Sequence, residues 1–428
     1  MAPIAVTPTE DEKVSTLTAE GIQHALSKSA PSQLKPTNGV LHPIAELDAS
    51  LLTTTLTTSP RPVPAIGSPE MASQRVCTDH MIQARWTEES GWDAPSLSPY
   101  GPLSLMPTTS CLHYATQCFE GLKLYRGHDG NLRLFRPDLN CKRMLMSTTR
   151  IALPGFPPQE LLKLILKLCA TDGPKWLPKD RPGAFLYIRP AVIGTDSALG
   201  VQRPREALLM IMLTCFAPMD DIPGGARLLA SKDDMCRAWP GGFGYAKVGA
   251  NYGPSLVAQG EARQKGFHQI LWLFGEDCIV TEAGASNFFV VWRTREGGVQ
   301  VVTADLDDKI VLDGVTRRSI LELLRGRLGA GAGVPGLEEV EVVERKFSML
   351  EVEEAYREGR LIEAFSAGTA WFVAPVGHIQ FRGKDLELGM GPDGLGGQYT
   401  RTIKGWLKDI MWGQGEGVGH EWGVVVEE

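Results

Sequence analysis

One lysine embedded in glycine constrains this chain more than any other feature. Lys247 stands in Gly241-Gly242-Phe243-Gly244-Tyr245-Ala246-Lys247-Val248-Gly249-Ala250-Asn251-Tyr252-Gly253-Pro254, where no other side chain carries a charge. Glycine lets a backbone approach a bulky ligand closely, so a run this rich in it marks a place where main chain and ligand can meet. Burial disfavours an ammonium, and an amine freed of its proton attacks carbonyls, which suits Lys247 to Schiff-base chemistry. The residues by themselves leave a second reading open, a loop lysine with its ammonium in water.

Downstream lies Thr281-Glu282-Ala283-Gly284-Ala285-Ser286-Asn287, separated from the lysine by the strand-like run Gln269-Ile270-Leu271-Trp272-Leu273-Phe274. Other segments stand in a fixed order along the chain: Leu112-His113-Tyr114, Phe119-Glu120-Gly121-Leu122-Lys123, Leu134-Phe135-Arg136-Pro137, Leu186-Tyr187-Ile188-Arg189-Pro190, Leu199-Gly200-Val201, Gly314-Val315, Ser366-Ala367-Gly368-Thr369-Ala370 and His420-Glu421-Trp422. Together these motifs resemble the branched-chain amino acid aminotransferases, fold type IV enzymes dependent on pyridoxal 5'-phosphate (PLP), and most closely the fungal type. The resemblance runs from about Thr78 to near the C-terminus. It implies a mixed α/β, two-domain chain whose active site lies at the domain and dimer interface.

The resemblance also implies roles. Lys247 would hold the PLP aldehyde as an internal aldimine and carry protons between substrate Cα and cofactor C4′. Glu282 would face the pyridine nitrogen, and Tyr252 would hydrogen-bond the phenolic oxygen. Arg136 offers a bidentate fork to the phosphate. Val315 and Thr316, opening a helix predicted by the apolar spacing that follows them, add free amides, and Thr369 adds a further donor. Taken singly, Glu282 also reads as an exposed turn acid, Arg136 as a surface ion pair and Tyr252 as a packing residue. On the substrate side, Tyr187 and Arg189 alternate on a strand-like run and so share a face. An arginine on an apolar strand requires an anion or a structural partner. By resemblance, that pair receives a carboxylate, Tyr114, Phe119 and Ala370 line the pocket, and Leu199 and Val201 enter it from a partner subunit.

Departures from the family pattern bear on substrate. Ala285 and Ser286 stand where threonine and methionine are usual, which removes a hydroxyl expected near the substrate carboxylate. Asp220 and Asp221 lie in a connector where aromatics are usual, and Trp371 and Ala374 replace a Cys-x-x-Cys pair. The expected reaction is a ping-pong transfer between a hydrophobic, branched-chain-like L-amino acid and 2-oxoglutarate. The alternatives are a transaminase of specialised metabolism acting on a non-standard aliphatic amino acid, a fold type IV lyase using the same lysine, and an inactive binding protein.

The 428 residues suffice for two sizeable cores. A net charge of −7 without any Lys/Arg-rich run argues against nucleic acid as a partner. No apolar run approaches the length of a membrane span. Eight scattered cysteines favour reduced thiols, and no His, Cys or carboxylate motif predicts a metal. Residues 1–74 read as a largely irregular extension, with a short helix at Gly21–Leu26. The acids Glu10, Asp11 and Glu12 favour the cytoplasm over a mitochondrial address, which stays open. A small α/β domain is expected over 75–215, a connector over 216–225, and a large PLP-binding domain over 226–428. Helices are expected at 158–168, after Val315, at 348–358 and at 399–412.

Overall fold

Alternation along the strand Phe185–Gly194 sorts the first sheet into two faces. Leu186, Ile188 and Val192 point to a core that they share with Leu161, Leu164, Ile165 and Leu168. Tyr187 and Arg189 point the other way, as period two requires. The computed structural model describes residues 34–37, 40–219 and 222–428. The helix expected at Gly21–Leu26 and the connector acids Asp220 and Asp221 lie outside the described residues.

The first sheet is built from β1 (Cys77–Thr87), β2 (Leu122–Arg126), β3 (Leu132–Phe135), β4 (Phe185–Gly194) and β5 (Glu206–Cys215). They run in the order β3-β2-β4-β5-β1, with the short strands Ser96–Pro99 and Thr53–Thr54 beyond β1. Two helices cover its core face, α1 (Pro137–Arg150) and α2 (Pro158–Trp176). The stripe Leu161, Leu164, Ile165 and Leu168 is fully buried, each side chain contributing roughly 2 kcal/mol. α2 runs past the expected residue 168, because its second half also buries Cys169, Asp172 and Trp176. Gly173 makes this possible: a Cβ there would lie 2.5 Å from Leu132 Cδ1.

Residues 44–74 contain little regular structure, yet they are tied down. Leu47 is buried, the Arg61 amide donates to Asp79 Oδ1 at 2.6 Å, and the Thr57 amide donates to His80 Nε2 at 2.9 Å.

The second sheet holds β6 (Ala226–Ala230), β7 (Gln269–Phe274), β8 (Ile279–Ala283), β9 (Ser286–Arg293), β10 (Val299–Thr303), β11 (Val340–Glu344), β12 (Leu361–Ala367) and β13 (Val373–Phe381). Their order is β8-β7-β6-β13-β12-β9-β10-β11, and β8 also pairs with β9. Six strands therefore form a closed ring, and it closes at Glu282↔Asn287 and Ala283↔Ser286. Gly284 makes the tight turn there at φ +60. Around the ring lie α3 (Ser255–Gln264), α4 (Val315–Arg327), α5 (Met349–Arg357) and α6 (Gln398–Trp412).

The two sheets share a core. Tyr125 and Phe135 from the first pack with Phe289, Val291 and Phe365 from the second, joined by Ile320 and Leu324 of α4 and by Ile403 and Leu407 of α6. The domain expected to run to residue 428 gives up its last strand: β14 (Gly423–Val426) returns to pair with β3, Gly423 opposite Phe135 and Val426 opposite Leu132. No helix among the described residues is long and apolar enough to cross a membrane.

Candidate active site

The first sheet and its helix α1 fix the backbone of Lys247 from both sides. Its amide donates to Ser147 Oγ on α1 at 2.9 Å, and its carbonyl accepts from the Phe119 amide at 3.0 Å. Asn251 ties the loop to itself, donating to the carbonyls of Phe243 at 2.9 Å and Ala246 at 2.8 Å. The Lys247 Nζ lies 3.3 Å from the Tyr252 hydroxyl and 5.2 Å from the Phe119 ring centroid. A cavity of about 110 Å³ opens in front of it, bounded by Tyr252, Arg237, Glu282, Ala285 and Leu312.

Glu282 is a buried strand residue of β8, and the exposed-acid alternative fails. Its Oε1 accepts the Leu312 amide at 2.7 Å, and its Oε2 lies 3.2 Å from the Arg237 guanidinium. The segment 310–313, just ahead of α4, hangs from four side chains. Arg237 donates to the Ile310 carbonyl at 2.9 Å, Glu282 takes the Leu312 amide, Asn287 donates to the Leu312 carbonyl at 2.8 Å, and Arg143 donates to the Asp313 carbonyl at 2.7 Å. The acid and the start of α4 are thereby held in one frame.

That helix start is suited to an anion. Among the described residues no side chain caps α4 at Gly314, so its first amides are open donors beside the positive end of the helix. Gly314 allows β9 to approach, since a Cβ there would lie 2.1 Å from Asn287 Oδ1. Thr316 donates to the Gly368 carbonyl at 3.1 Å, and Thr369 follows. A small cavity lies between this end and the first sheet, lined by Gly121, Asn140, Val315, Thr316, Gly368 and Thr369.

Arg136, expected at this end, is engaged elsewhere. It adopts the left-handed region at φ 44 as the residue before α1, and its amide donates to the Trp422 carbonyl at 2.8 Å. This turn lays its guanidinium 4.1 Å from the Trp422 ring centroid and directs it to Ser319 and, through both terminal nitrogens, to Glu322 at 3.0 and 3.1 Å. Those partners sit one and two turns along α4 from its start. The guanidinium that does reach the helix start is that of Arg143, nearly buried on α1. Its Nε and one terminal nitrogen donate to Glu120 at 2.7 and 2.8 Å. Burial pushes the Glu120 carboxyl up, but Arg143 foremost, with Lys247 and Asn140, together hold it below the usual glutamate range. Asn140 completes the cluster with a 2.8 Å bond to Glu120.

On the substrate side, Tyr187 stacks on Phe216 with centroids 4.6 Å apart. Arg189 lies 4.5 Å from the Phe119 centroid and 5.3 Å from that of Tyr187. Its Nε is buried without a hydrogen-bond partner among the described residues. Gly121 makes room for the tyrosine, because a Cβ there would meet the Tyr187 hydroxyl at 2.0 Å. Ala370 is half-buried and Ala285 exposed at the cavity edge. Tyr114 is placed differently from expectation: its hydroxyl donates to the Leu199 carbonyl. It stands 38% exposed beside Leu199 at 56%, with Val201 at 88%, so these three form one outward-facing group.

Sequence reading passes over Arg143, Arg237 and Asn287, and gives Glu120 no role. A signal exists for the first: Asn140, Arg143 and Ser147 follow helical spacing, and a polar stripe on the buried side of a helix has to meet polar partners. No comparable signal surrounds Arg237.

Residues 117–379 match the amino-transferase class IV family. The chain is 41% identical over 374 residues to the mitochondrial branched-chain-amino-acid aminotransferase of Schizosaccharomyces pombe, covering 87% of this chain and 85% of that protein. It is 40% identical over 377 residues to the cytosolic enzyme of that name from Saccharomyces cerevisiae, covering 87% and 96%, and 42% identical over 340 residues to the cytosolic one of Mus musculus, covering 79% and 84%. Among solved structures, the branched-chain aminotransferase of Thermoproteus uzoniensis with norvaline superposes with a TM-score of 0.62 at 23% identity, over 80% of this chain and 99% of that one. The branched-chain amino acid aminotransferase of Thermobaculum terrenum in its PLP-bound holo-form gives 0.62 at 22% identity, over 82% and 99%. With its lysine loop, its buried acid and its uncapped helix start all inside the matched region, the chain belongs to the branched-chain amino acid aminotransferase family of the class IV aminotransferases.

Proposed function

We propose that this chain binds PLP in the cavity before Lys247 and moves an amino group between a hydrophobic, branched-chain-like L-amino acid and 2-oxoglutarate. The observation that carries this reading is the Lys247 amine, 3.3 Å from Tyr252, in a cavity bounded by the buried carboxylate of Glu282. The donor set fits PLP. The buried acid of Glu282 suits a pyridinium, a hydroxyl and an amine sit side by side, and Arg143 with the uncapped start of α4 suits a phosphate. Bound PLP supplies an electron sink that lets a proton leave the amino-acid Cα.

Each residue then has a task. Lys247 anchors the cofactor and moves the proton from Cα to C4′ and back. Glu282 holds a proton on the ring nitrogen, and Tyr252 donates to the phenolic oxygen. Arg143, in the place first given to Arg136, binds the phosphate with Val315, Thr316 and Thr369. Arg189 receives a substrate carboxylate, which gives its unpartnered Nε an acceptor. Phe119, Tyr187 and Ala370 wall the side-chain pocket. Tyr114, Leu199 and Val201 face outward and complete the pocket of a second copy in a homodimer. The relatives' names carry both cytosolic and mitochondrial addresses; the cytoplasm is proposed here, and a fluorescent fusion of the full chain checks it.

A steady-state panel tests the reaction. Leucine, isoleucine and valine should each give a 2-oxo acid together with glutamate, and only when 2-oxoglutarate is present. Differences of one methylene should change kcat/KM by roughly 10- to 200-fold at most. Oxo acid formed without an amino acceptor would mark elimination and contradict transfer. A clear preference for larger or hydroxylated amino acids would assign the Ala285 departure to specificity.

A further inference from the structure

Arg237 enters the same cavity as Lys247, ten residues before it in sequence. Its guanidinium side is nearly buried and makes two contacts with one terminal nitrogen, to Glu282 Oε2 at 3.2 Å and to the Ile310 carbonyl at 2.9 Å. Its Nε is buried without a partner among the described residues. An arginine is costly in such a place unless its charge is matched, and the matching charge is Glu282. The dependence is mutual, because a buried carboxylate without a cation takes up a proton. Arg237, Lys247 and Tyr252 are the other ionisable side chains around the same cavity, and Arg237 is the one in contact with the acid.

We propose that Arg237 is a positioning residue that keeps Glu282 ionised and fixes its carboxylate plane for the cofactor's ring nitrogen. Two neighbours divide the carboxylate between them: the Leu312 amide takes Oε1 and Arg237 takes Oε2. The carboxylate cannot rotate without losing one of them. Through the Ile310 carbonyl, Arg237 also ties the acid to the segment that leads into α4, so the ring end and the phosphate end are set in register. A protonated Glu282 would present a hydrogen to an unprotonated ring nitrogen and would drain the electron sink of its strength. This inference rests on the assignment of PLP to this cavity.

The test uses the full-length holo-protein and the variants Arg237→Met and Arg237→Lys. Melting and circular dichroism first establish that each is folded. The visible absorbance of the bound cofactor is then titrated from pH 5 to 9, and PLP affinity is measured on each apo-protein. Arg237→Met should add a pH-dependent step to the absorbance that is missing from wild type, and should weaken PLP on the order of 10- to 100-fold. Arg237→Lys should restore much of the wild-type spectrum, because it keeps the charge and loses only the fork. A folded Arg237→Met protein with the wild-type titration and affinity overturns the inference. An Arg237→Lys spectrum identical to that of Arg237→Met overturns it as well, since charge would then not matter. If wild type itself takes up no PLP, the cofactor assignment fails, a result distinct from either of these.

Discussion

Two arginines on one helix separate structural support from ligand contact. Arg136 at the head of α1 is held by Trp422 and by Ser319 and Glu322, one to two turns along α4, whereas Arg143 sets its guanidinium beside the start of α4 by donating to the Asp313 carbonyl. Arg143→Gln should therefore weaken PLP on the order of 10- to 100-fold in fluorescence titrations of apo-protein. Arg136→Gln should leave PLP affinity within about threefold and instead lower the urea stability by roughly 1–3 kcal/mol. The reverse pattern would return the phosphate to Arg136. Glu120 carries a pH prediction. Its carboxyl is held below the usual range against burial by Arg143 together with Lys247 and Asn140, so its folded value lies below its unfolded one. Its contribution to stability is then complete above the ordinary glutamate value and is lost as pH falls through the folded value. Urea midpoints of wild type and Glu120→Gln should keep their separation from pH 7 down to the ordinary glutamate value and converge as pH is lowered further. A gap that stays constant would show that the pair contributes nothing through its charge.

At the scale of elements, α6 is started by an acid from a distant strand. Glu363 on β12 accepts the amides of Tyr399 at 3.0 Å and Thr400 at 2.9 Å, and the Thr400 hydroxyl at 2.7 Å. Gly397 lets the carboxylate in, because a Cβ there would lie 2.1 Å from its carboxyl carbon. Glu363→Ala should cost about 2–3 kcal/mol in urea unfolding, by stranding buried amides at a helix start. A cost below about 0.5 kcal/mol would mean that water replaces the carboxylate. Much at this scale is legible in sequence: the apolar spacing after Val315 and through 399–412 marks α4 and α6, and alternation marks β4 with Tyr187 and Arg189 on one face. The illegible parts depend on long-range contacts. The cap of α6 comes from a strand that sequence reading treats separately. β14 is four residues long, and no local pattern says which sheet it joins. The second half of α2 contains Gly173 and Pro174, which locally argue for a stop. A motif draws attention to Arg136 ahead of Arg143, although the polar stripe of α1 holds the better signal.

At the scale of the whole molecule, the site belongs to neither sheet alone. The first contributes Phe119, Glu120, Arg143, Tyr187 and Arg189, the second contributes Glu282 and Asn287, and the loops before α3 and α4 contribute Lys247, Tyr252 and the helix start. Tyr114, Leu199 and Val201 stand on the outside of the described residues, with exposure rising from 38% through 56% to 88%, and it is this surface that the proposed second copy would cover. Val201→Asp should shift the protein toward monomer in light scattering and lower kcat/KM by at least tenfold. An unchanged mass and unchanged kinetics would remove these residues from the pocket. The proposed cofactor and reaction both depend on Lys247 holding PLP covalently. The most direct measurement is borohydride reduction of the PLP-loaded full-length protein, followed by digestion and mass spectrometry. The expected result is one pyridoxyl group per chain, carried by the peptide containing Lys247 and lost in Lys247→Ala. A pyridoxyl group fixed instead on another lysine, such as Lys123 or Lys309, or fixed on none, would contradict it.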